Sequence, residues 1–142
     1  MENQSTEAPA SSNGKGAWKG TAKILVIDDD PFVLAIAERK LASRGYHVIA
    51  AADGAAGLAA ARANIPDLVL LDLALPVVDG WEVLQELRAD PVFAAVPVIM
   101  LTARRNDGDV ASALELGARD YIIKPFTLAE LVARVERLLP AR

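Results

Sequence analysis

From Lys23 onward, short apolar runs alternate with longer stretches in which apolar residues recur at helical spacing. The runs are Lys23 to Ile27, His47 to Ala51, Leu68 to Leu71, Val96 to Leu101 and Tyr121 to Ile123. They are rich in β-branched residues and apolar on both faces, the pattern of parallel strands covered on both sides. Between the first two runs, Val33, Ile36, Ala37 and Leu41 fall at offsets 0, 3, 4 and 8, and near the C-terminus Leu128, Leu131, Val132, Val135 and Leu138 fall at 0, 3, 4, 7 and 10. Each set forms one apolar stripe on a helix. Asp30-Pro31 supplies an N-cap with proline at the first helical position, and Thr127 with Glu130 forms a capping box. Gly45 and Gly117 stand where helices should stop. Five strands alternating with five helices predict a three-layer α/β domain around a parallel five-stranded sheet, with right-handed crossovers.

Composition narrows the class. A length of 142 residues fits one domain. Residues 1–21 are rich in Ser, Ala, Gly, Asn and Pro without periodic apolar positions, which predicts a disordered N-terminal tail before a folded domain at 22–140. Apolar residues make up 53% of the chain, yet the longest uncharged stretch, Pro91 to Ala103, is 13 residues and is interrupted by Pro97. A membrane-spanning helix needs about 18 or more, so no membrane segment is expected. The first residues, MENQSTEAPASSNGKG, lack the apolar core of a signal peptide, and the absence of cysteine removes disulfides, thiolate metal sites and a thiol nucleophile. A cytoplasmic location is the expectation. The net charge of −4, from 15 Lys plus Arg against 19 Asp plus Glu, argues against a general nucleic-acid binder, and no nucleic-acid partner is expected.

The informative polar residues lie where the apolar runs end. Asp28 and Asp29 follow the first run, Asp72 the third, Thr102 the fourth and Lys124 the fifth. Ligands of open α/β sheets bind outside the carboxyl ends of the strands, so all five residues belong to one candidate edge. Clustered carboxylates repel unless a cation relieves them, and an oxygen-only donor set without His or Cys suits a hard ion such as Mg2+. A carboxylate beside such an ion, a hydroxyl and a lysine is a candidate phosphoryl acceptor. Taken singly, each residue has a plainer reading. The Asp28 to Asp30 run could be an acidic helix start, Thr102 a turn residue, Lys124 a solvated loop lysine and Tyr121 a strand former.

In order and at their spacing, ILVIDDDP (24–31), PDLVLLDLALPVVDG (66–80), PVIMLTA (97–103) and GARDYIIKPF (117–126) resemble the receiver domain of two-component response regulators, across residues 22–139. The resemblance implies a flavodoxin-like (βα)5 fold with strand order 2-1-3-4-5. It implies that Asp72 is phosphorylated, that Asp29 ligates Mg2+ directly, that Asp28 does so mainly through water, and that the Ala74 backbone carbonyl completes the protein's ligands. It further implies that Thr102 bonds a phosphoryl oxygen, that Lys124 pairs with the phosphoryl group, that Tyr121 turns inward as the switch aromatic, and that the Lys124–Pro125 peptide is cis.

These features point to a single-domain response regulator that takes a phosphoryl group from a histidine kinase or histidine phosphotransfer protein and then controls a target protein. It is not expected to be an enzyme beyond its own phosphorylation and dephosphorylation. The lone histidine, His47, starts the second strand away from the acidic edge, so the phosphodonor must be another protein. Two alternatives are a pseudo-receiver without chemistry, disfavoured by the intact acidic and basic set, and a turnover phosphatase, disfavoured because Ala74 stands where such enzymes commonly carry a second acid. Phe32 and Leu34, off the buried stripe of the first helix, are the candidate docking patch for the donor. Because the sequence stops at Arg142, just past the fifth helix, output through another protein is expected. Val110-Ala111-Ser112 and Arg119 depart from the charges of symmetric receiver dimers, so a monomer or weak dimer is expected.

Overall fold

The computed structural model describes residues 21–103 and 107–139. The predicted tail at 1–21 therefore lies outside the described residues except for Thr21, as does Pro140 at the predicted domain end.

Five strands and five helices alternate: β1 (Lys23–Ile27), α1 (Pro31–Ser43), β2 (His47–Ala51), α2 (Gly54–Asn64), β3 (Leu68–Leu71), α3 (Gly80–Ala89), β4 (Val98–Thr102), α4 (Asp107–Glu115), β5 (Asp120–Ile123) and α5 (Leu128–Leu138). A short 3-10 turn, Pro91–Phe93, precedes β4. Three strands occupy the bounds predicted from the sequence. The fourth starts two residues later than expected, and Pro97 supplies the reason: it has no N–H for the ladder, and its carbonyl instead accepts the Val69 N–H at 3.0 Å. The fifth begins one residue early, at Asp120.

The strands are all parallel and ordered β2-β1-β3-β4-β5. Alternation along each strand divides the core between the two faces. Ile24, Val26, Leu68, Leu70, Ile99 and Leu101 join the buried stripes of α1 and α5 on one side. Leu25, Ile27, Val69, Leu71, Val98 and Met100 join α2 and α3 on the other.

Caps explain the helix starts. Asp30 accepts the Phe32 N–H at 2.9 Å, Asp53 the Ala56 N–H at 2.7 Å, Asp79 the Glu82 N–H at 3.1 Å, and Thr127 the Glu130 N–H at 3.0 Å. Gly45 and Gly117 adopt φ of 95° and 107° after α1 and α4, the left-handed geometry that stops a helix. α2 ends without that signal, since Ile65 itself takes the left-handed position at φ 47°.

Candidate functional site at the carboxyl edge of the sheet

Strand order reverses between β1 and β3, and there the parallel register aligns Ile27 with Leu71. The next residues, Asp28 and Asp72, are thereby side by side, with Asp72 N–H donating to the Ile27 carbonyl at 3.0 Å. Both are buried, whereas Asp29 faces solvent. Carboxylate oxygens of Asp28, Asp29 and Asp72 lie within 4.8 Å of one another. The adjacent Asp30 belongs to α1 as its cap and also donates its own N–H to Asp28 Oδ1 at 2.9 Å.

Lys124, just past β5, crosses to this group. Its Nζ stands 2.7 Å from Asp28 Oδ2 and 3.1 Å from Asp72 Oδ2. Asp72 Oδ1 accepts the Ala74 N–H at 3.1 Å, which fixes the plane of the carboxylate from its own loop. Burial pushes the Asp28 carboxyl up from its ordinary value, opposed by Lys124 and the Asp30 amide and reinforced by Asp72. Burial pulls Lys124 down, but Asp28 and Asp72 together outweigh it and hold the ammonium above its usual range.

Three carboxylates against one ammonium leave the cluster net negative if all are ionised. Asp28 Oδ2 is buried with no hydrogen bond of acceptable geometry, facing the Lys124 ammonium as an ion pair. Crowded oxygen donors, more carboxylates than the one ammonium neutralises, fit a hard divalent cation. Asp28, Asp29 and Asp72 are the side chains placed to hold one, and Ala74 lies in the same loop as Asp72.

Thr102 is buried at the end of β4, level with Ile123 of β5, and the Lys124 N–H donates to the Thr102 carbonyl at 2.9 Å. Tyr121, one strand over, is buried in the same core cluster as Val98 and Met100. The Lys124–Pro125 peptide is cis. Thus Asp28, Asp29, Asp72, Thr102 and Lys124 converge on one edge.

Phe32 is 69% exposed at the start of α1. Leu34 differs from expectation: it is half-buried against the core cluster under α1 and α5. Its spacing of three to Ala37 and seven to Leu41 puts it at the border of the buried stripe rather than off it.

By sequence alone, Asp53-Gly54 and Asp79-Gly80 are turn punctuation before helices. In the structure both glycines press on the loop after Asp72. A Cβ on Gly80 would lie 2.1 Å from the Asp72 carbonyl oxygen, and one on Gly54 would lie 1.8 Å from that of Val78. Val77, in that loop, has φ of 71° and no sequence signal for it.

Residues 24–136 match the response regulator receiver domain family. The transcriptional regulatory protein PrrA of Mycobacterium tuberculosis is 49% identical over 120 residues, which are 84% of this chain and 51% of that protein. The chain thus spans about half the length of the curated relatives it matches. Among solved structures, chemotaxis protein CheY4 of Vibrio cholerae superposes with a TM-score of 0.80 at 28% identity, covering 84% of this chain and 99% of that one. The receiver domain of sensor histidine kinase PA1611 from Pseudomonas aeruginosa gives 0.78 at 36%, covering 86% and 100%. The latter holds a magnesium ion coordinated in its active-site cleft.

Proposed function

The chain belongs to the response regulator receiver domain family, and from that premise we propose that it is a phosphorylation-controlled switch whose acceptor is Asp72. The observation that carries this reading is the shared Lys124 ammonium, 2.7 Å from Asp28 and 3.1 Å from Asp72, beside the exposed Asp29.

Asp28, Asp29 and Asp72, with the Ala74 carbonyl, would hold Mg2+. When bound, the ion supplies positive charge that screens the carboxylates from one another and from an incoming phosphoryl group. Asp72 sits at the end of a fully buried strand, so its carboxylate is aimed by the sheet rather than by a mobile segment. In the reaction a carboxylate oxygen of Asp72 forms a bond to phosphorus as the P–N bond of a phosphohistidine breaks, and the leaving imidazole takes a proton. Lys124 then follows the negative charge from the carboxylate to the phosphoryl oxygens. The Thr102 hydroxyl donates to one of those oxygens. Tyr121, in the neighbouring strand, is the aromatic that turns inward as Thr102 is drawn to the phosphoryl group. Attack of water on phosphorus returns the free carboxylate and inorganic phosphate.

The donor is a histidine kinase or histidine phosphotransfer protein, and it docks on α1 beside the site, with Phe32 as the exposed apolar contact and the half-buried Leu34 in the same turn of the helix. Output passes to a target protein. A second reading is favoured by the half-length match to PrrA, a transcriptional regulatory protein: output would then be transcriptional, which sets aside the expectation of no nucleic-acid role for the whole protein. A cytoplasmic site of action accords with the absence, among the described residues, of any helix long and apolar enough to cross a membrane.

The test is intact-protein mass after incubation with a small phosphodonor and Mg2+. One phosphoryl adduct is expected in the wild type, and none in Asp72→Asn or in excess chelator. An adduct that survives either change overturns the acceptor or the metal assignment. Phe32→Ala should slow transfer from a protein donor while leaving transfer from the small donor unchanged.

A further inference from the structure

Two helices begin with glycines that touch the loop carrying the acidic edge. A Cβ on Gly54 would stand 1.8 Å from the Val78 carbonyl oxygen, 2.6 Å from its carbon and 2.9 Å from the Val78 Cβ. The oxygen and carbon are backbone atoms, which cannot swing aside as the end of a flexible side chain can. Gly54 is not among the positive-φ glycines, so what its position demands is space alone. Its N–H donates to the Pro76 carbonyl at 3.3 Å, and the same carbonyl accepts the Val78 N–H at 2.8 Å. From the other side, Gly80 donates its N–H to the Leu73 carbonyl at 2.9 Å, and its missing Cβ makes room for the Asp72 carbonyl. Residues 73–79 are therefore held between the N-termini of α2 and α3.

The loop does not hold this shape by its own preference. Val77 is a β-branched residue at φ 71°, and it is 79% exposed, with little packing of its own to enforce the angle. Such a conformation persists only where the surroundings over-determine it.

We propose that Gly54 is a positioning residue for the metal-binding edge. By carrying no side chain it lets the start of α2 seat residues 73–79 where Asp72 and Ala74 face Asp28 and Asp29. This rests on the reading that those carboxylates take a divalent cation. Gly57, one turn further along α2, supplies a built-in contrast. The three atoms nearest a Cβ there all belong to the Ile27 side chain, Cδ1 at 2.5 Å being the closest, whereas those nearest a Cβ on Gly54 all belong to Val78 of the loop.

The test is calorimetric titration of the whole chain with Mg2+, together with hydrogen exchange of the metal-free protein. Gly54→Ala should weaken Mg2+ binding roughly tenfold, the scale seen when a group supporting metal ligands is lost. It should also speed exchange of the Ala74, Val78 and Gly80 amides. Gly57→Ala should cost thermal stability yet leave exchange of the Ala74, Val78 and Gly80 amides within about twofold of wild type, because its added Cβ presses on the Ile27 side chain rather than on the loop backbone. Should Gly54→Ala fail to fold, Asp53 decides. Asp53→Ala removes the cap that fixes the first turn of α2 and should weaken binding about threefold, and Asp53→Asn, which caps equally well, should restore it. Absence of Mg2+ binding in the wild type would overturn the metal reading and this proposal with it. Wild-type binding matched by Gly54→Ala, or by Asp53→Ala where that variant decides, would overturn the positioning role alone.

Discussion

Asp28 is the most deeply buried of the described polar and charged residues, with no exposed surface, and it faces Asp72. Burial raises its folded-state pKa above the ordinary 3.8. Protonation therefore favours the fold. The stability this group contributes without metal is fully present below the unfolded value and is lost as pH rises through the higher folded-state value. Asp28→Asn should remove that loss. Denaturation midpoints measured without metal from about pH 4 to about pH 7 should move in the variant's favour as pH rises, and saturating Mg2+ should restore the advantage to wild type. Val77 allows a simpler test. A β-branched side chain in the left-handed region costs roughly 1–2 kcal/mol, and asparagine tolerates that region better. Val77→Asn is expected to raise Tm by about 3–6 °C for a gain near 1 kcal/mol, read by calorimetry. Neither feature could be seen in the sequence. Asp28 was visible as a ligand type, but its burial depends on strands that meet only in the fold, and Val77 occupies a turn whose shape the helices on either side impose.

At the scale of elements, most of the molecule was legible because periodicity and caps both report on local geometry. Thr127 does cap α5 as its capping box predicts, while the Glu130 carboxylate is drawn to Arg134 at 3.5 Å. Asp120 ties the start of β5 to α5 through Arg134 at 2.8 Å and Arg137 at 2.6 Å, contacts no spacing rule announces because they span a strand and a helix. The junction between α3 and β4 was equally hidden. Arg88, at the end of α3, donates to the carbonyls of Phe93, Ala94 and Val96, and it lies under Gly117, whose missing side chain leaves room for it. The guanidinium thus clamps three carbonyls, and burial, with Arg119 adding to the effect, lowers its pKa. Arg88→Met keeps the stem but strands those carbonyls. It should cost roughly 1.5–3 kcal/mol in urea unfolding, the loss expected for hydrogen bonds from a charged group to half-buried carbonyls. A loss below about 0.5 kcal/mol would show that the turn before β4 holds itself.

At the scale of the whole molecule, the proposed Mg2+ site couples metal binding to folding, because Asp28, Asp29 and Asp72 follow β1 and β3 and meet only when the sheet is formed. Mg2+ should therefore raise Tm by mass action, with a gain that grows as the logarithm of its concentration above the Kd. In Asp29→Asn most of that rise should vanish, while the metal-free variant should melt no lower than wild type because one charge has left a crowded cluster. An equal Mg2+ shift in both proteins would remove Asp29 from the ligand set. The sequence by itself determined which segments are strands and helices, since alternation, stripe and cap are properties of neighbouring residues. It also determined which polar residues stand at strand ends, and the resemblance it carries assigned them roles. Only the tertiary structure decided that Lys124 bridges Asp28 and Asp72, that Leu34 is half-buried while Phe32 is exposed, and that Gly54 and Gly80 grip the loop after Asp72. Those facts depend on how the helices pack on the sheet, and a one-dimensional pattern carries no measure of that.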